Sequence, residues 1–146
     1  MAALYHTAVE LKILIYTSWA RAGIRPDEVE AILSSARINN PLDGITGVLI
    51  FNGTAFMQIL EGSEAAIDAL TSLLASDPRH SNMSIHDKRL IEARTFPNWS
   101  MAYLQLESGE FKGTDEVVKA LERDLPQPVR NIVMGLIYSV FQEGPV

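Results

Sequence analysis

Apolar positions in this chain fall into two kinds of run, short continuous ones and longer ones spaced as on a helix. Residues 11–17 (LKILIYT) are of the first kind and end at Ser18 and the Ala20-Arg21-Ala22-Gly23 stretch, as a buried strand does. Pro26 suits a first helical turn, and Asp27 and Glu28 favour the positive end of a helix dipole. Val29, Ile32, Leu33 and Ala36 then recur at i, i+3, i+4 and i+7, which predicts an amphipathic helix ending near Asn39-Asn40-Pro41. Residues 45–51 and 54–60 are apolar runs around Asn52-Gly53, a dipeptide expected to supply two positive-φ residues to a tight hairpin. Ser63 and Glu64 open a second helix with Ile67, Leu70, Leu73 and Leu74 as its buried stripe, and Asp77-Pro78 stops it.

Residues 83–93 and 99–106 predict two further strands. Thr114 is expected to cap a helix bearing Val117, Val118, Leu121 and Leu125. Pro126 and Pro128 separate it from a last helix with Val129, Ile132, Val133, Leu136, Ile137 and Val140. The order βαββαββ, followed by two helices, predicts an α+β fold. Right-handed crossovers make it a ferredoxin-like mixed sheet, with the first two helices on one face and the C-terminal pair on the other. The last stripe either covers that second face or leaves part of itself for an oligomer or partner surface.

Composition narrows the possible functions. With 146 residues and 47% hydrophobic content, one domain is expected. Twelve basic against eighteen acidic residues give a net charge of −6 without a basic cluster, which argues against nucleic-acid binding. The absence of cysteine excludes disulfides and thiolate chemistry. Residues 1–10 lack the basic start and apolar run of a signal peptide, and no span approaches the roughly 20 apolar residues of a membrane helix, so a cytoplasmic protein is expected. His6, His80 and His86 lack ligand spacing, so no metal is expected. No nucleophile elbow or phosphate loop occurs, and Glu61 has no obvious carboxylate partner, so no catalytic residue is assigned.

A few residues sit oddly in this pattern. Gln58 lies in Ala55-Phe56-Met57-Gln58-Ile59-Leu60, a run buried on both faces, where its two donors and its carbonyl need partners from the protein or a ligand. Tyr16 places a hydroxyl at the end of an apolar strand, which ordinary core packing with one hydrogen bond also explains. Asn39 and Asn40 suit a turn through their tolerance of left-handed backbone, and equally suit the polar edge of a planar heterocycle. Trp99 and Met101 are expected on one face of the fifth strand by alternation, where plain packing would account for them.

Together these residues resemble the BLUF family, sensors of blue light using FAD. The segments that carry the resemblance are Ile13-Leu14-Ile15-Tyr16-Thr17-Ser18, Asn39-Asn40-Pro41-Leu42-Asp43-Gly44-Ile45-Thr46-Gly47, Phe56-Met57-Gln58-Ile59-Leu60-Glu61-Gly62, Asp77-Pro78-Arg79-His80 and Phe96-Pro97-Asn98-Trp99-Ser100-Met101. The resemblance implies a photosensor domain over residues 11–106 and a helical extension over residues 107–146. It implies FAD between the first two helices, with FMN or riboflavin able to substitute. Tyr16 and Gln58 become the photoactive pair, from which the excited flavin takes an electron and a proton, and recombination leaves Gln58 rotated or tautomerised. Ile32, Asn39, Asn40, Gln58, Arg79 and His80 become flavin contacts, and Trp99 and Met101 the residues that transmit the signal.

Ile38 and Ala36 depart from the family pattern, and Arg37 is a candidate to compensate from the solvent side. The implied function is a non-enzymatic receptor that signals to a downstream protein by non-covalent contact, expected as a homo-oligomer without an effector domain. The alternatives are a light-inert flavin-binding module, a protein-interaction module of the same fold and a small hydrolase.

Overall fold

The computed structural model describes residues 10–138. His6 and Val140, both named above, lie outside the described residues, as do residues 1–9. The elements run β1 (Leu11–Ala20), α1 (Pro26–Asn39), a 3-10 turn (Asn40–Asp43), β2 (Thr46–Phe51), β3 (Ala55–Ser63), α2 (Glu64–Ala75), β4 (His80–Ile91), β5 (Ala102–Glu107), β6 (Glu110–Gly113), α3 (Asp115–Lys119) and α4 (Gln127–Leu136). A wider π turn, Ala120–Asp124, continues α3.

The six strands form one sheet in the order β4-β1-β3-β2-β5-β6. Both β1 and β2 pair antiparallel to β3, and β4 pairs antiparallel to β1. Strands β1 and β2 are therefore parallel across β3, with α1 as their crossover, and β3 and β4 are parallel across β1, with α2 as theirs. Two interleaved βαβ units of this kind make the ferredoxin-like core. Strand β5 extends it by pairing parallel to β2.

Alternation along the central strands assigns the two faces. Ile13, Ile15, Val48, Ile50, Met57 and Ile59 pack with Val117, Leu121, Leu125, Val129, Val133 and Ile137 from the C-terminal helices. Leu14, Tyr16, Leu49, Phe56 and Leu60 pack with Val29 and Leu33 of α1 and Ile67 of α2. Helices thus cover both faces as predicted, and most of the final apolar stripe covers the sheet. Strands β1 and β3 read as continuous apolar runs because neither of their faces meets water. Gly47 lets β2 and β3 meet closely, since a Cβ there would lie 2.0 Å from the Ile59 carbonyl oxygen.

Several local expectations are corrected. The hairpin residue with positive φ is Gly53 alone. Asn52 contributes through its side chain, whose Oδ1 accepts the Thr54 and Ala55 amides at 3.0 and 2.7 Å. Thr114 stands at the α3 N-cap position without a side-chain capping bond, whereas Ser63 Oγ does accept the Ala66 amide, at 3.1 Å. A sixth strand, β6, arises from a hairpin whose residues Glu110-Phe111-Lys112-Gly113 are too few and too polar to show an apolar period. Strand β5 begins at Ala102, so Trp99 and Met101 precede it. Alternation does not govern them: Met101 packs with the α1–α2 side and Trp99 against the C-terminal side.

The C-terminal helices bury their stripe in the main core. Leu121→Ala should therefore cost about 2–5 kcal/mol in urea unfolding while leaving the opposite face assembled. Gly47→Ala should prevent stable folding, read as loss of a cooperative unfolding transition.

Candidate functional site

Tyr16 and Gln58 are directly opposite in the β1–β3 register, so their side chains leave the sheet together on the α1–α2 face. The Tyr16 hydroxyl donates to Gln58 Oε1, and Gln58 Nε2 donates to Met101 Sδ at 3.4 Å. Both residues are buried, at 3% and 4% exposure. Burial, and secondarily the charge of Asp77, raise the Tyr16 phenol well above its ordinary value, so it remains a proton donor across the physiological range.

Beside this pair a cavity of about 460 Å³ opens between α1 and α2, within the size range of small-molecule sites. Its apolar wall includes Ile32, Ala36, Leu70, Leu73 and Leu74, and its polar edge includes Asn39, Asn40 and Gln58. The α2 stripe expected in the core is split. Ile67 is buried, whereas Leu73 remains 71% exposed. Leu70, Leu73 and Leu74 line the cavity because α1 and α2 do not close on one another.

Asn40 is buried at the end of α1 and donates from Nδ2 to the Ser100 carbonyl at 2.8 Å. Neither Asn39 nor Asn40 adopts left-handed backbone; that conformation falls to Gly44, at φ 67. Tolerance of left-handed backbone therefore does not explain the asparagine pair, although both residues stand at the helix end and turn. Asn39 lies at the cavity edge, its Nδ2 donating to Ser35 Oγ at 3.3 Å.

Arg79 also borders the cavity, forked onto Asp77 with contacts of 2.6–3.2 Å. That hydrogen-bonded pairing depresses the Asp77 carboxyl. His80 lines a smaller adjoining recess with Tyr16 and Ile32. Its ring nitrogens are engaged by Ser18 Oγ, at 2.7 Å, and by the Leu74 carbonyl.

Of the expected site residues, Ile32, Asn39, Asn40, Gln58 and Arg79 line this cavity, Tyr16 and His80 line the adjoining recess, Met101 touches Gln58 behind the wall, and Trp99 packs toward the other face of the sheet. Arg37, an exposed residue, donates from Nε to the Met101 carbonyl at 3.0 Å. Ile38 points outward at 68% exposure, while Ala36 lines the cavity. Ser35 and Ala69 join the lining without any sequence signal beyond their helical phase, and Asp43 joins it from the 3-10 turn.

Glu61, which has no signature in the sequence, is a structural centre. It is completely buried, and its carboxylate accepts from the Thr95 and Phe96 amides at 2.6 and 2.9 Å and from Thr46 Oγ1 at 3.1 Å. Burial pushes its carboxyl up, against the opposing pull of these donors. Among the described residues no cluster of three His, Asp or Glu side chains suits a metal, and no helix is long and apolar enough to cross a membrane.

The lining offers apolar walls with a hydrogen-bonding edge. The family model "Sensors of blue-light using FAD" matches residues 11–102, and the chain belongs to that family, BLUF, whose domains are flavin-binding sensors of blue light. It is 37% identical over 73 residues to the blue light- and temperature-regulated antirepressor BluF of Escherichia coli, covering 50% of this chain and 18% of that protein. It is 29% identical over 92 residues to the photoactivated adenylate cyclase subunit beta of Euglena gracilis, covering 62% of this chain and 11% of that one. The chain thus spans under a fifth of these curated relatives.

Among solved structures, the BLUF protein BlrB in its dark state superposes with a TM-score of 0.69 at 31% identity, over 94% of this chain and 99% of that one. Klebsiella pneumoniae BlrP1, solved with FMN and cyclic diGMP, gives a TM-score of 0.72 at 30% identity, over 88% of this chain and 35% of that one.

Two measurements test this geometry. Asn40→Ala removes an amide from the cavity edge and should weaken flavin binding roughly ten- to a hundredfold, read by flavin fluorescence during titration. The raised Tyr16 phenol makes a stability contribution that is complete below pH 10.0 and is lost as pH rises through the folded-state value. Stability should accordingly fall above that pH in denaturant titrations, and Tyr16→Phe should flatten the fall.

Proposed function

We propose that this chain is a blue-light receptor that binds FAD in the α1–α2 cavity, with FMN or riboflavin able to substitute, and in which Tyr16 and Gln58 are the photoactive pair. The observation that carries the reading is the chain of contacts from Tyr16 Oη through the Gln58 amide to Met101 Sδ, with Gln58 itself in the wall of that cavity. Bound there, the flavin supplies light absorption and reversible electron uptake. Ile32 and the α2 leucines sandwich the ring, Asn39 and Asn40 meet its polar edge, and Arg79 and His80 border the rest of the site.

The protein's part is proton and hydrogen-bond management. Tyr16 holds its proton on Oη, pointed at an amide whose two ends differ only in donor and acceptor character. Exchange of those ends, by rotation or tautomerisation, rewires the site without creating charge. In the rotated form Nε2 faces the Tyr16 oxygen, which accepts it. Oε1 then faces Met101 Sδ, which has no proton to give, so the contact holding Met101 is lost. Met101 leads directly into β5, and the change reaches the sheet from there. Trp99, on the far side, senses the same segment.

The receptor reading includes no turnover of substrate. Its output is a population shift that alters affinity for a downstream signalling protein, and it is compatible with a homo-oligomer in the cytoplasm. Residues 11–106 form the sensing unit in this reading, and of the extension over residues 107–146 the described part, residues 107–138, packs onto it.

Absorption spectra before and after blue light test the proposal. The purified protein should be yellow and should show a reversible red shift. Tyr16→Phe and Gln58→Leu should each keep the flavin and lose the shift. A normal photocycle in Gln58→Leu would exclude the amide switch, and a folded protein that takes up no flavin would exclude the receptor.

A further inference from the structure

Residues 92–101 link edge strand β4 to β5 on the far side of β2, passing the end of β3 and the start of β2 without forming helix or strand. Side chains from both faces of the sheet hold this crossing. On the α1–α2 face, Asn40 holds the Ser100 carbonyl, Arg37 the Met101 carbonyl and Gln58 the Met101 sulfur. On the other, Glu61 holds the amides of Thr95 and Phe96. Arg94 locks the same corner by donating to Thr46 Oγ1 at 2.9 Å, to the Glu61 carbonyl at 3.0 Å and to the Gly44 carbonyl at 2.7 Å.

Gln58 and Glu61 stand three residues apart on β3, so alternation sends them to opposite faces. Between their grips, the Phe96 carbonyl accepts the Trp99 amide at 3.2 Å, and the Trp99 carbonyl accepts the Gly47 amide at 3.0 Å. Phe96 itself is fully buried in the core shared with Leu121, Val129 and Val133. A displacement at Met101 can therefore go one of two ways. It can be absorbed as the crossing loosens, or it can pass through Phe96 to the C-terminal helices. Which occurs depends on how firmly the Phe96 end is fixed.

We propose that Glu61 is a positioning residue of the light switch: by fixing Thr95 and Phe96 it makes the crossing a lever that delivers movement at Met101 to the core beneath α3 and α4. A neutral acceptor would serve for simple packing. A carboxylate, however, receives both amides at once, and charge-assisted bonds to backbone N–H groups are shorter and stronger than neutral ones. The proposal rests on the Tyr16–Gln58 reading, and the two are separable because the red shift reports the switch and the C-terminal helices report the lever.

The test uses the full chain with bound flavin. In Glu61→Gln the amide oxygen can accept only in part what the carboxylate accepted, and its NH₂ end opposes a backbone donor. Flavin binding and the size of the red shift should persist. The light-induced change in hydrogen exchange across residues 127–136 should fall several-fold relative to wild type, while the change near residues 99–101 remains. Light-minus-dark infrared spectra of the wild type should contain a carboxyl band that Glu61→Gln removes, a signature that passive packing would not give.

Thr46→Val, which removes one donor and spares the carboxylate, should reduce the helix response partway and serves if Glu61→Gln does not fold. An undiminished response in a folded variant, or a red-shifting wild type with no light-dependent exchange in residues 127–136, overturns the lever. Loss of the red shift from the wild type would instead overturn the switch beneath it.

Discussion

Strand β3 is covered on both faces, and that constraint organises the molecule. Eight of its nine residues, Ala55 to Gly62, are buried. A polar side chain on such a strand keeps its place only if the protein or a ligand satisfies it, because an unpaired buried group costs about 1–3 kcal/mol. Gln58 and Glu61 are the two that the strand admits, one facing each way. Each is satisfied by the same crossing segment, Gln58 through Met101 and Glu61 through Thr95 and Phe96. Neither amide nor carboxylate can change state without disturbing residues 92–101.

The cavity follows from a second departure from ordinary packing. Helices α1 and α2 cover the sheet with Val29, Leu33 and Ile67, but their outer apolar positions stop short of each other. Burying a leucine side chain contributes about 1.5–3 kcal/mol, so leaving Leu73 exposed forgoes a gain that a closed pair of helices would take. A planar ligand bound as proposed would recover it. Asn39 and Asn40, in ordinary right-handed backbone, line the same gap.

Family membership places this arrangement among light sensors whose curated relatives carry it as a minor part of longer chains. The C-terminal helices here share a core with Ile13, Ile15, Met57 and Ile59, the residues that alternate with Leu14, Tyr16 and Gln58 across the sheet. The two sides of the sheet are one strand thickness apart. Coupling between them needs no long pathway, only a rigid sheet and a crossing held at both ends.

By itself the sequence determined the elements whose period is strong: β1, α1, the β2–β3 hairpin, α2 and the apolar stripe of α4. It also marked Gln58 as a polar intruder, since burial can be read from a continuous apolar run. Local patterns could not decide the rest. The Tyr16–Gln58 pairing depends on antiparallel register between strands 42 residues apart in sequence, and a one-residue slip would send Gln58 to the other face. The exposure of Leu73 depends on how far apart two helices settle, which their own stripes do not encode. The separation of Trp99 from Met101, and the partners of Glu61, depend on the path of residues 92–101. That path has no period to read, because its hydrogen bonds go to side chains and strand ends brought together only by the finished sheet.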